Sequence, residues 1–205
     1  MCIFVGVMLS VFQQAVGINA VLYYAPRIFQ DMGMGNPMVQ TVIMGVVNIS
    51  FTLVAVFTVE KLGRKPLLIL GSIGMAVGAL GVALTFGNAA LSTVTMISIM
   101  VYSASFMFSW GPIAWVLIAE LFPNTIRGAA VAIAVAFQWI FNFIVSSTFV
   151  PMFNMHLTPG DDFGHWFTYG LYGVICILAA IFVWKLVPET KGKTLEDMSK
   201  LWRKE

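Results

Sequence analysis

The sequence predicts an all-α membrane protein of six transmembrane helices, and three observations carry that expectation. First, the 205-residue chain is 60% hydrophobic and 10% charged, whereas soluble domains run at roughly 45–50% apolar and 25% charged. Its 11 Lys and Arg and 9 Asp and Glu are too few to keep a chain of this size soluble as a monomer. Second, six apolar runs, at 2–24, 38–59, 67–86, 93–118, 128–149 and 166–187, reach the length of about 20 residues that a helix needs to cross a hydrocarbon core. Third, these runs do not alternate apolar and polar residues as barrel strands do over about 10 residues. The composition excludes a soluble enzyme, a nucleic-acid binder and a disordered tail.

The run at 2–24 lacks the basic leader of a signal peptide, and its second half is rich in amides, so it reads as a span. The third run carries Gly71, Gly74, Gly78 and Gly81. The Gly74–Gly78 spacing lets two helix backbones approach closely. Packing inside one bundle is the expected use, with a dimer face as the alternative. Cys2 and Cys176 lie inside apolar runs and read as small hydrophobes rather than a disulfide or a metal site. Lys185 is the one charge within the runs, placed where its stem can follow the lipid up to the headgroups. The expected organisation is a six-helix bundle over 1–187 and a tail over 188–205.

The basic residues sort to one side of this bundle. Lys61, Arg64, Lys65, Arg127, Lys191, Lys193, Lys200, Arg203 and Lys204, with Lys185, share one set of connections, and Arg27 lies on the other. The positive-inside rule makes the richer side cytoplasmic. Six crossings then place both termini of this chain there.

Two spans look interrupted. The first contains Gln13-Gln14-Ala15-Val16-Gly17-Ile18-Asn19, and the fourth contains Ser109-Trp110-Gly111-Pro112. They occupy equivalent places if the chain is two repeats of three helices, and paired interruptions of that kind point to a transporter binding site. The alternative is that Gly111 and Pro112 kink a helix for packing.

The informative side chains within the spans are polar but uncharged: Gln13, Gln14, Asn19, Asn48, Gln138 and Asn142. Each amide both donates and accepts, and an unpaired one is costly in hydrocarbon. One or two suffice as glue between helices; six exceed that need. Gln138 and Asn142, four apart, share a helix face. Tyr23, Tyr24, Phe106, Trp110, Trp115 and Trp139 add flat rings nearby. Amides match vicinal hydroxyls and rings cover the C–H face of a sugar, so the set suits a neutral polyhydroxylated solute. Glu60, Glu120 and Glu189 fall at the cytoplasmic edge, and Asp31, His156, Asp161, Asp162 and His165 in outer loops. An intramembrane carboxylate is the usual proton carrier; proton coupling would therefore draw that group from outside this chain. Without an HExxH, a GxSxG or a Cys/His pairing, a catalytic reading has no residues to work with.

Acid and base recur together at the cytoplasmic edge, in Glu60–Pro66, Glu120–Arg127 and Pro188–Gly192. Glu60, Arg64, Lys65, Glu120, Arg127 and Glu189 are expected to form ion pairs and helix-end contacts that hold one conformational state and are remade in another. Static surface pairing of small value is the alternative.

These residues resemble the sugar porter family of the major facilitator superfamily. The similarity runs from QQ-x-x-G-I-N and Tyr23-Tyr24-Ala25-Pro26, through Gly63-Arg64-Lys65-Pro66 and SWGPIAW-x4-E-x-FP-x3-RG, to Pro188-Glu189-Thr190-Lys191-Gly192, and covers essentially the whole chain. It is strongest towards the bacterial D-xylose–proton symporters, which are related to facilitative glucose transporters. The resemblance implies the C-terminal six-helix half of a twelve-helix fold. It implies that Gln13, Gln14 and Asn19 hydrogen-bond a sugar, that Asn48 joins them, that Trp115 packs on the sugar ring, and that Gln138 and Trp139 add an amide and an aromatic. Tyr23, Phe106 and Gly111 line the same cavity by position. Gln138, where glucose carriers often have Asn, favours a xylose-like substrate. The implied activity is transport of a pentose or hexose across the inner (plasma) membrane by alternating access, as half of a sugar–proton symporter. No cofactor is implied beyond the proton gradient. The partner is the N-terminal six-helix half or an equivalent subunit, which brings the proton-carrying acid. A fragment is the expected case, with a split subunit and half of a homodimer as alternatives. An uncoupled facilitative carrier, a non-transporting remnant or scaffold and a self-assembled six-span pore also stay open.

Overall fold

Hydrocarbon offers no partner to a backbone N–H outside its own segment, and the long elements of this chain are accordingly helices. The computed structural model describes residues 2–31, 36–158 and 162–193. In order they form α1 (Cys2–Ala15), α2 (Ile18–Asp31), α3 (Pro37–Leu62), α4 (Arg64–Thr85), a 3-10 turn (Ala89–Leu91), α5 (Ser92–Phe108), α6 (Trp110–Leu121), α7 (Arg127–Phe153) and α8 (Phe163–Leu186). The pairs α1–α2 and α5–α6 are interrupted spans, so the eight helices make six segments long and apolar enough to cross a membrane. Among the described residues there is no strand. Asp161, the tail residues Lys200, Arg203 and Lys204, and the rest of the expected tail from 194 onward lie outside the described residues.

The helices overrun the apolar runs. α2 continues to Asp31 and α7 runs through Pro151 to Phe153. α3 starts at Pro37, with Asn36 as N-cap accepting from the Met38 N–H at 3.0 Å; a missing N–H at the first helical position costs nothing there. His165, expected in a loop, lies in the first turn of α8 with its ring centroid 4.3 Å from those of Phe86 and Phe153.

α4 is the centre of the bundle, packed between α5 and α8. Its glycines explain the fit. A Cβ at Gly78 would lie 2.6 Å from the Tyr102 nitrogen and 2.8 Å from the Ser98 oxygen, and Cβ atoms at Gly71, Gly74 and Gly81 would run into Ser109, Ser105 and Ser98. The small-residue face is consumed inside the chain. On the same side Trp110, fully buried, donates its indole N–H to Ser72 Oγ at 2.7 Å and to the Leu68 carbonyl at 3.2 Å. α3 and α7 differ from the rest: only Met44 and Ala55 are buried on α3, and Ala130, Ala134, Gln138, Phe149 and Phe153 on α7. These two helices stand beside the broken spans with most of their apolar surface uncovered.

Candidate functional site

The site grows out of two failures of helix geometry. At the first, Gly17 takes φ +87°, a conformation open to glycine at no steric cost. Its N–H turns back to the Gln14 carbonyl at 2.9 Å, and the chain resumes helix with the Val21 N–H on the Gly17 carbonyl at 3.2 Å. At the second, Ser109 leaves the helical region at φ −133°, ψ −86°, and Pro112, without an N–H, fits the first turn of α6. The Ser109 N–H reaches the Phe106 carbonyl at 3.0 Å.

The two breaks are joined by an amide. Gln13 Nε2 donates to the carbonyls of Trp110 at 3.0 Å and Gly111 at 3.3 Å. Gln13 Oε1 accepts from Gln138 Nε2 of α7 at 2.5 Å. Beside it, Gln14 Oε1 accepts from Asn19 Nδ2 at 2.6 Å and from Asn142 Nδ2 at 2.9 Å. Three amide side chains thus spend a donor on a neighbouring amide. Gln138 Oε1 is buried and has no partner; an acceptor left so costs about 1–3 kcal/mol until something donates to it.

These groups line a cavity of about 480 Å³. Its wall brings together Gln13, Gln14, Asn19, Tyr23, Phe106, Gly111, Trp115, Gln138 and Trp139. The rings of Tyr23, Trp115 and Trp139 are exposed. Among the described residues, no charged side chain lines the cavity. Asn48 lies off this wall, with its Oδ1 accepting from Ser103 Oγ at 2.6 Å and tying α3 to α5. Thr52 lines the cavity instead, one helical turn further on, with Met107, Pro112 and Asn142. The four-residue step from Asn48 to Thr52 is the signal that would have found it. Trp110, grouped above with the other aromatics, faces α4 rather than the cavity.

A second cluster sits where α3, α4 and α6 meet the segment after α8. Arg64 Nη2 lies 2.9 Å from both Glu60 Oε1 and Glu120 Oε1. Thr190 donates to the other Glu120 oxygen at 2.6 Å. Glu189 accepts the backbone N–H groups of Arg64 and Lys65, each at 3.0 Å, and so caps α4, where a carboxylate complements the helix dipole. Lys65 takes part through its backbone alone in that contact. Arg127 makes a helix-end contact: its Nε and Nη2 donate to the carbonyl of Phe122, the C-cap of α6, at 3.3 and 3.2 Å.

Comparison with known proteins matches this geometry to a family. A family model described as Sugar (and other) transporter matches residues 1–202. The D-xylose-proton symporter of Escherichia coli (strain K12) is 51% identical over 205 residues, which cover 99% of this chain and 42% of that protein. The glucose facilitated diffusion protein of Zymomonas mobilis is 41% identical, across 98% of this chain and 43% of its own length. A solved proton:xylose symporter of the major facilitator superfamily, bound to 6-bromo-6-deoxy-D-glucose, superposes with TM-score 0.87 at 50% identity, over 98% of this chain and 42% of that one. The chain therefore spans less than half the length of these relatives. With the family model matched along almost the whole sequence, the chain belongs to the Sugar (and other) transporter family of the major facilitator superfamily.

Proposed function

We propose that this chain provides the C-terminal six-helix half of a sugar transporter of the plasma membrane, and that the amide-lined cavity is its sugar site. The observation that carries the reading is the bonded cluster of Gln13, Gln14, Asn19, Gln138 and Asn142 amides on the wall of a 480 Å³ cavity. Sugar hydroxyls engage the Gln138, Gln14 and Asn19 amides, and the faces of Trp115 and Trp139 cover the ring. The neutral wall disfavours an ion or a charged metabolite. A pentose such as D-xylose is the preferred substrate, supported by the identity to the xylose symporter.

Transport proceeds by alternating access, one half rocking against the other around the site. The remaining sugar contacts come from an N-terminal six-helix half or an equivalent subunit. That partner also supplies the intramembrane acid of a sugar–proton symporter. The Arg64–Glu60–Glu120 cluster, with Glu189 on α4, Lys65 beside it and Arg127 at α7, latches the helix ends in one state. The excess of Lys and Arg at this end supports a cytoplasmic side for it and for both termini of the chain.

The test is equilibrium binding of D-xylose and D-glucose to the purified chain in lipid nanodiscs, followed by tryptophan fluorescence. Gln138→Ala is expected to weaken binding about tenfold, the loss of one hydrogen bond of about 1.4 kcal/mol, with an unchanged helical spectrum. Unaltered affinity in both Gln138→Ala and Gln13→Ala removes the reading.

A further inference from the structure

Away from the cavity wall, the break between α1 and α2 meets a group of buried hydroxyls that the proposed transport does not use. Tyr172 of α8 is 2% exposed. Its ring rests on the break itself, since a Cβ at Gly17 would lie 2.4 Å from its Cε2 and Cζ. Its hydroxyl has no hydrogen-bond partner. Tyr169, on the same face of α8 and fully buried, stands perpendicular to it with ring centroids 6.5 Å apart, and its hydroxyl is also unpartnered. From α5 the Tyr102 hydroxyl reaches the same place and donates to the Val16 carbonyl.

The backbone is equally incomplete there. The first N–H groups of any helix have no partner within it. Val21 finds the Gly17 carbonyl, which leaves Ile18, Asn19 and Ala20 as the open end of α2. Ile18 and Ala20 are fully buried, so bulk water does not serve them. The unpartnered Tyr172 hydroxyl and the open amides thus share the break, with Tyr102 at the Val16 carbonyl and Tyr169 against Tyr172.

The chemistry selects the occupant. A cation would face N–H donors. A buried anion needs a charged partner; α1 and α5 carry no Lys or Arg, Lys185 sits at the far end of α8, and Arg27 of α2 is turned to Asn154. Water both donates and accepts, and a polar enclosure with two to four partners holds it. Ordered water is also a known means of completing the backbone groups that a break frees in a membrane helix. We propose that the break of the first span encloses an ordered water site, held between the open end of α2 and the hydroxyls of Tyr172 and Tyr169. Water bonds re-form at little cost when α2 tilts about Gly17, so the joint stays satisfied through a range of angles. The proposal stands independently of the sugar reading.

The test is X-ray hydroxyl-radical footprinting of the full chain in lipid nanodiscs, read by mass spectrometry. Ordered internal water is activated in place and oxidises the side chain beside it. Trp110 is the dry control, being fully buried with its indole N–H already bonded to Ser72 and Leu68. Tyr172 is expected to oxidise about tenfold faster than Trp110 although both are buried, as a resident water requires. After rapid mixing into heavy-oxygen water, label at Tyr172 is expected to lag behind label at the exposed Trp139. Oxidation of Tyr172 no faster than that of Trp110 overturns the proposal. Label that enters Tyr172 as quickly as Trp139 overturns it as well, because the site would then be an opening to bulk solvent.

Discussion

A Gly78→Val chain is expected to lose about 4 kcal/mol or more of stability, the range reserved for a buried clash with no escape. The obstacle at Gly78 is backbone: the Tyr102 nitrogen and Cα and the Ser98 oxygen all lie within 2.8 Å of the Cβ position. A side chain can change rotamer, but these atoms move only if α4 and α5 separate along their length. Separation would also strain Trp110, whose indole is bonded to α4 through Leu68 and Ser72. Gly170 of α8 is the matched control, with nothing within 4 Å of its Cβ position. Gly170→Ala should be neutral or stabilising by up to about 1 kcal/mol, the helix-propensity difference. Thermal unfolding in mild detergent, followed by circular dichroism and size exclusion, separates the two. Equal midpoints would mean that α4 and α5 do not touch as described.

Arg64→Met is expected to cost about 3 kcal/mol, at the lower end of what removing one partner of a buried ion pair costs. The loss comes mainly through Glu120. The Arg64 side chain is 9% exposed and that of Glu120 30%, whereas that of Glu60 is 72% exposed. Glu60→Gln should therefore cost no more than about 1 kcal/mol, as exposed pairs do. Glu120→Gln alone leaves the guanidinium buried and should approach the cost of Arg64→Met. The double variant Arg64→Met/Glu120→Gln removes both charges and should recover about 1–3 kcal/mol of the summed single losses, the coupling expected of a contacting pair. Unfolding midpoints of the four chains complete the cycle. A Glu60→Gln loss as large as that of Glu120→Gln would reverse this ordering.

The fold was legible because a bilayer imposes length and polarity directly on sequence. The interruptions were legible too, since Gly17 and the Ser109–Pro112 stretch announce them chemically. Helix ends were less so. Hydropathy marks where lipid stops, and α2 goes on to Asp31 and α7 through Pro151 because backbone bonding continues into the headgroup region. Within the site, the residues flanking the two breaks reached the cavity wall, because at a break the direction of the wall is set locally. Asn48 did not. Asn48 and Thr52 share one face of α3, and the sequence does not say which turn of that face lies level with the two breaks. Trp110 and Arg127 share the reason: their partners, Ser72 on α4 and the Phe122 carbonyl in a turn, are known only once the chain has folded.

The Gln13 amide, fixed to α1 and bonded to the Trp110 and Gly111 carbonyls, has a mechanical consequence. Two separate joints would have two independent angles. A strut from α1 to α6 joins the fixed halves of both broken spans into one base. α2 and α5 then swing from that shared base, and a load applied far along either is borne by α1 and α6 together.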